Sequence, residues 1–280
     1  MSNRKKRDER QTRAAQMRRD RERASARRTR LVTGSIVAAV VVLVVAAGVA
    51  IFASQRDTGQ RPDGVTSDNG YLVTADGLES DEASDALTPV KVVFYEDFQC
   101  PICRQFESAV AGYVDQQLKF NAITVEYRPI AILNRFSTTE YSTRSAAAAA
   151  CVFDDAGIEA FYKYHAQLFQ NQPEENSPGL SDSELSTLAE QVGADSASSC
   201  IEGDDYEGWV SEATDQASQD NVNGTPTVLV DGKEVTDGKG GPPHLEDLID
   251  AVFAATPSST ESPQSPAGSP SATSESPSRE

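Results

Sequence analysis

Cys100 and Cys103 stand three positions apart and enclose Pro101 and Ile102. Two cysteines so spaced at the start of a helix can close a small, strained disulfide. The first sulfur then sits where free backbone N–H groups and the helix dipole favour an anion. That lowers its pKa and makes it the attacking thiolate. The second sulfur lies one turn further in and can attack a mixed disulfide to release the partner. Pro101 suits the first helical turn, where a missing N–H costs little. Two other readings of the pair are weaker. A structural zinc site usually needs two close pairs, and the remaining cysteines, Cys151 and Cys200, are isolated and 49 positions apart. A purely structural disulfide in so short a loop would stabilise little.

The surrounding pattern is what such a pair needs for positioning. Val90-Lys91-Val92-Val93-Phe94-Tyr95 is β-rich and apolar, the signature of a buried strand. After Cys100 the residues Phe106, Val110, Tyr113, Val114 and Leu118 fall at helical spacing. Residues 123–132 return to strand character, and about 138–220 read as helices, with the run Ala146–Ala150 and an apolar face of Phe161, Tyr164, Leu168 and Phe169. Thr227–Val230, the turn Asp231-Gly232 and Lys233–Val235 form a hairpin pattern. A last helix carries Leu245, Leu248, Ile249, Val252 and Phe253, with prolines near its start. Gly70–Thr74 is a candidate edge strand, and Asp76–Thr88 reads as an acidic loop. The order is βαβ, a helical block, then ββα.

Charge divides the 280-residue chain. Residues 1–30 hold 13 Lys/Arg and four Asp/Glu, net +9; the other 250 hold 12 and 39, net −27. That excludes a uniformly basic nucleic-acid binder. Residues 31–53 are 23 uncharged, mostly aliphatic residues, enough to cross a bilayer as a helix. The run is longer than a signal-peptide core, so an uncleaved anchor is expected, with the bilayer as its partner. The positive-inside rule keeps the basic arm 1–30 in the cytoplasm and puts the acidic part outside. No aromatic or motif accompanies the arm's charge, so it reads as a topology determinant with no nucleic-acid role. Residues 54–69 read as a flexible tether, about 70–255 as the folded domain, and 256–280, rich in Ser, Pro, Thr and Ala, as a disordered tail.

Outside the cytoplasm disulfides persist. A second, non-catalytic bond between Cys151 and Cys200 is therefore expected to staple the helical block, with two buried free thiols as the alternative. His165, among Tyr164, Leu168 and Phe169, reads as a packing residue. Trp209 and Tyr206 read as packing for the helical block. With only His244 besides, no multi-histidine metal site is expected, and the thiol chemistry calls for no cofactor. Asn223-Gly224-Thr225 matches a glycosylation sequon and is taken as a chance match.

Tyr95-Glu96-Asp97-Phe98-Gln99-Cys100-Pro101-Ile102-Cys103 resembles the active-site strand and helix start of DsbA-type thioredoxin-fold oxidoreductases. Gly224-Thr225-Pro226-Thr227 resembles their cis-proline loop, and Phe161–Phe169 a helix of their inserted helical domain. The likeness covers about residues 70–255. It implies an α/β, thioredoxin-like fold with a helical insertion, here preceded by one transmembrane helix. It further implies a nucleophilic Cys100, a resolving Cys103, a cis Pro226, and a Thr225 whose backbone pairs with an unfolded substrate chain. On residues alone, Thr225-Pro226 could equally be an ordinary trans turn. Two departures stand out. Such proteins often carry a buried acid six residues before the first cysteine; here Phe94 occupies that position, and the proton shuttle stays unassigned between Glu96, Asp97 and others. Ile102 replaces the histidine of the best-known oxidases. The helix dipole is then left to activate Cys100, by about one pKa unit or slightly more.

The expected function is a membrane-anchored dithiol oxidase that passes the Cys100–Cys103 disulfide to secreted polypeptides and is reoxidised by a membrane redox partner. The alternatives are a reductase or isomerase with the same cysteines, or a non-catalytic thioredoxin-like binding module. Cys100→Ser separates the last from the others, because only a binding module would keep its role.

Overall fold

A computed structural model describes residues 60–78 and 88–256. The arm, the 31–53 segment, residues 79–87 of the acidic loop and the tail beyond Thr256 lie outside the described residues. Among the described residues no helix is long and apolar enough to cross a membrane.

Five strands, β1 (Tyr71–Val73), β2 (Val90–Glu96), β3 (Ile123–Pro129), β4 (Thr227–Val230) and β5 (Lys233–Val235), form one sheet in the order β1-β3-β2-β4-β5. β2 and β3 run parallel, with Val92 opposite Val125 and Glu96 opposite Pro129. A parallel pair needs a crossover, and α1 (Pro101–Lys119) supplies it. The other pairs are antiparallel. β2 lies at the centre with every residue but Lys91 buried, which explains its continuous apolar run. The β4–β5 turn holds Asp231 at φ 46° and Gly232 at φ 75°, as a two-residue primed turn demands.

Between β3 and β4 the chain forms α2 (Tyr141–Gln170), α3 (Asp182–Gln191), α4 (Ala197–Glu202) and α5 (Glu207–Gln219); α6 (Leu245–Ala255) closes the fold. Ala146–Ala150 are all buried. Side chains that small let α2 approach its neighbours closely. Beyond Gly157, whose φ of 77° breaks the helical geometry, α2 carries aromatic residues against the sheet. Phe161 stacks on Tyr71 with centroids 3.9 Å apart, and Tyr127, Phe98 and Phe169 surround His165. Cys151 of α2 and Cys200 of α4 are joined as a disulfide. Trp209 and Tyr206 are buried in the main core cluster.

One expectation needs correction. From residue 60 onward, the segment read as a tether is docked. Pro62 is buried. Thr66 Oγ1 donates to Glu126 at 2.6 Å, Asp68 pairs with Arg128 at 2.8 Å, and Asn69 accepts from Trp209 Nε1 at 3.0 Å. The polar residues that imitate a linker are used by buried polar partners on β3 and α5. Gly70 fits because a Cβ there would lie 2.5 Å from the Glu126 side chain. In α6, Leu248 and Val252 are buried, but Ile249 is exposed and Phe253 is 81% exposed. The helix's apolar stripe is wider than the strip that packs.

Candidate active site

The turn between β2 and α1 is held from three sides. The Asp97 carboxylate accepts from the N–H of Gln99, Ile132 and Leu133, each at 2.9 Å. This ties the turn to the segment after β3. Burial nevertheless raises the Asp97 carboxyl to about 6, against the pull of those hydrogen bonds. Gln172, two residues past α2, donates its amide to the carbonyls of Phe98 and Cys100, both at 2.9 Å. The Gln99 amide reaches the Phe136 carbonyl.

Cys100 is thereby fixed as the N-cap of α1, with φ −75° and ψ 115°. Its sulfur accepts from the Cys103 N–H at 3.4 Å and lies 3.4 Å from the Thr225 carbonyl oxygen. Both thiols are free and buried. They differ sharply. Cys100 is lowered to about 6, first by the Cys103 thiol and, against burial, by the Thr225 side chain and the N–H groups of Cys103 and Ile102. Cys103 is pushed well up, mainly by burial and then by the Cys100 thiol. The largest contribution comes from the Cys103 thiol in the same helical turn; Thr225, brought by the fold, adds to it. Pro101 lies in the first turn of α1, and Ile102 is 48% exposed beside the sulfur.

The Thr225-Pro226 bond is cis, and this loop faces Cys100 from the start of β4. Ile102, Thr225 and Pro226 share a surface groove of about 640 Å³ with Tyr95 and Arg128. A second depression of about 440 Å³ opens on the other side of Ile102, lined by Phe106, Pro242, Pro243 and Leu245. The site therefore offers a buried reactive sulfur beside an open, extended surface, which suits a polypeptide better than a small molecule.

Glu96 was named from the sequence with its role left open. It is 2% exposed. Positions two apart in a strand share a face, so Glu96 points to the same side as Phe94, where an acid was sought. It acts on the resolving thiol, and burial raises its carboxyl to about 8. His165 Nε2 lies 2.8 Å from Glu96 Oε2, and burial lowers the imidazole's pKa. His165 thus packs as expected and also has a polar partner. Glu107 of α1 joins the cluster, its carboxyl raised by burial and by Glu96.

Residues 84–251 match the model of the family described as Thioredoxin. The chain belongs to that family. Within it, the fold and residues go with the DsbA-type thiol-disulfide oxidoreductases. It is similar to reduced DsbG of Mycobacterium tuberculosis, a disulfide bond oxidoreductase: 31% identity over 67% of this chain and 94% of that one, TM-score 0.51. It is also similar to reduced DsbA of the same organism, with 30% identity, 67% and 100% coverage, and TM-score 0.51. Among curated proteins it is 30% identical over 196 residues to the serine/threonine-protein kinase PknE of Mycobacterium tuberculosis. That match takes 65% of this chain and 34% of the kinase, so the chain spans about a third of the length of the first curated relatives it matches.

Proposed function

We propose that this thioredoxin-family protein is a membrane-anchored, extracytoplasmic dithiol oxidase. In its oxidised state Cys100 and Cys103 share a disulfide. A substrate thiolate attacks the Cys100 sulfur, and Cys103 leaves as a thiolate and takes up a proton. Glu96 is the acid on that side. A second substrate thiolate attacks its own sulfur in the mixed disulfide and expels Cys100. The substrate gains a disulfide, the protein gains two electrons, and a membrane redox partner removes them. The groove at Thr225 and Pro226 would hold the secreted chain in extended form.

The observation that carries this reading is the contrast between the two thiols. A leaving group with a lower pKa leaves faster. Cys100 at about 6, against about 8.5 for a free thiol, favours the reduced form at pH 7 by about tenfold, or about 1.4 kcal/mol. A pair that prefers to be reduced is an oxidant. The uncharged 31–53 segment behind a basic arm supports the anchor and the orientation.

The test is the reduction potential of the Cys100–Cys103 pair in the full chain in detergent, by equilibration with glutathione. A value above about −180 mV is expected. One near −270 mV would make disulfide reduction the activity instead.

A further inference from the structure

Behind the thiols, Glu96 of β2, Glu107 of α1 and His165 of α2 each bring one ligand atom within 4.8 Å of the others. Glu96 Oε2 is taken by His165, and the Glu96 and Glu107 carboxyls hydrogen-bond to each other, which requires a proton between them. Two carboxyls buried side by side and converging on one imidazole are also a donor set for a divalent transition metal, which would replace that proton. The charges balance as well. Two carboxylates and a neutral imidazole cancel a dication, so the filled site would bury no net charge. Without an ion the same carboxyls must hold protons.

The cluster has an entrance. Glu107 lines a groove of about 610 Å³ between α1 and α2, together with Ser108, Ala166 and Gln170. Asp115 adds a second negative group acting on Glu107, and Arg104 also lines the groove. This opening is lined by none of the residues that form the groove at Thr225 and Pro226.

We propose that Glu96, Glu107 and His165 bind one divalent transition-metal ion of the zinc class, entering between α1 and α2 and displacing the protons held there. The proposal does not rest on the redox reading, because no thiol is among the ligands.

Cobalt(II) titrated into the full chain in detergent tests it. Both cysteine pairs are first oxidised, so that no thiolate is present. One cobalt per chain is expected, with visible ligand-field bands, no sulfur-to-metal charge-transfer band, and displacement by zinc. His244, beside Glu246 and Asp247, is the competing surface site, and His244→Gln is expected to keep the full stoichiometry. Glu107→Gln preserves side-chain shape and is expected to weaken binding at least tenfold. Should that variant fail to fold, the wild type answers alone. The chain has two histidines, and zinc is expected to move the ring resonances of His165, identified as the one left in His244→Gln. Absence of cobalt uptake, unchanged affinity in Glu107→Gln, or ring shifts confined to His244 would overturn the proposal.

Discussion

Cys100 owes its acidity first to Cys103, which the motif itself supplies, and next to Thr225, which no local pattern reveals. A helix start is visible in Cys-Pro-Ile-Cys, and with it the dipole. Thr225 is 125 positions away, and only the fold brings it to the sulfur. The thiolate's ultraviolet absorbance is expected to titrate with a midpoint near 6 in the reduced protein. Cys103→Ala, which removes the thiol that contributes most, is expected to move that midpoint upward. The sign for stability follows. A thiol with a lower pKa folded than unfolded stabilises fully above about 8.5 and loses that contribution as pH falls through the folded value. Reduced protein should therefore gain stability over Cys100→Ser as pH rises from about 6, as denaturant titrations at several pH values would show. Glu96 belongs to the same scale. With a chelator present, Glu96→Gln is expected to slow departure of a peptide from its mixed disulfide with Cys100 by about 100-fold, read by rapid acid quench. A rate equal to wild type would remove Glu96 from the proton's path.

Single elements decide how rigidly that sulfur is presented. The strands, the α1 crossover and the Asp231-Gly232 turn were legible because alternation, apolar runs and turn chemistry are local. Gln172 was not legible, since nothing in its sequence surroundings says that its amide will hold the Phe98 and Cys100 carbonyls. Gln172→Ala leaves both without that donor and should cost about 1–3 kcal/mol in urea unfolding. The helical block has its own fastener. Replacing Cys151 and Cys200 together by alanine opens a 49-residue separation, and chain entropy sets the loss at about 4 kcal/mol. Calorimetry of the full chain checks it. A loss under about 1 kcal/mol would mean that packing around Ala146–Ala150 already holds α2 and α4 together.

At the scale of the whole molecule, the segment before β1 reads as a linker by composition and behaves as a strap. Composition reports how much apolar surface a segment can bury. It is silent about buried polar partners waiting elsewhere, such as Glu126, Arg128 and Trp209. Asn69→Ala is expected to destabilise the protein by about 1–3 kcal/mol and to shift the emission of Trp209, the chain's single tryptophan. The disulfide between α2 and α4 has a further meaning once the proposed activity is set beside it. Four cysteines can pair in three ways, and one arrangement leaves Cys100 and Cys103 to cycle with each other. Under the proposed activity, a mature copy would itself be able to insert the Cys151–Cys200 bond into a newly made one, so that the protein would count among its own clients.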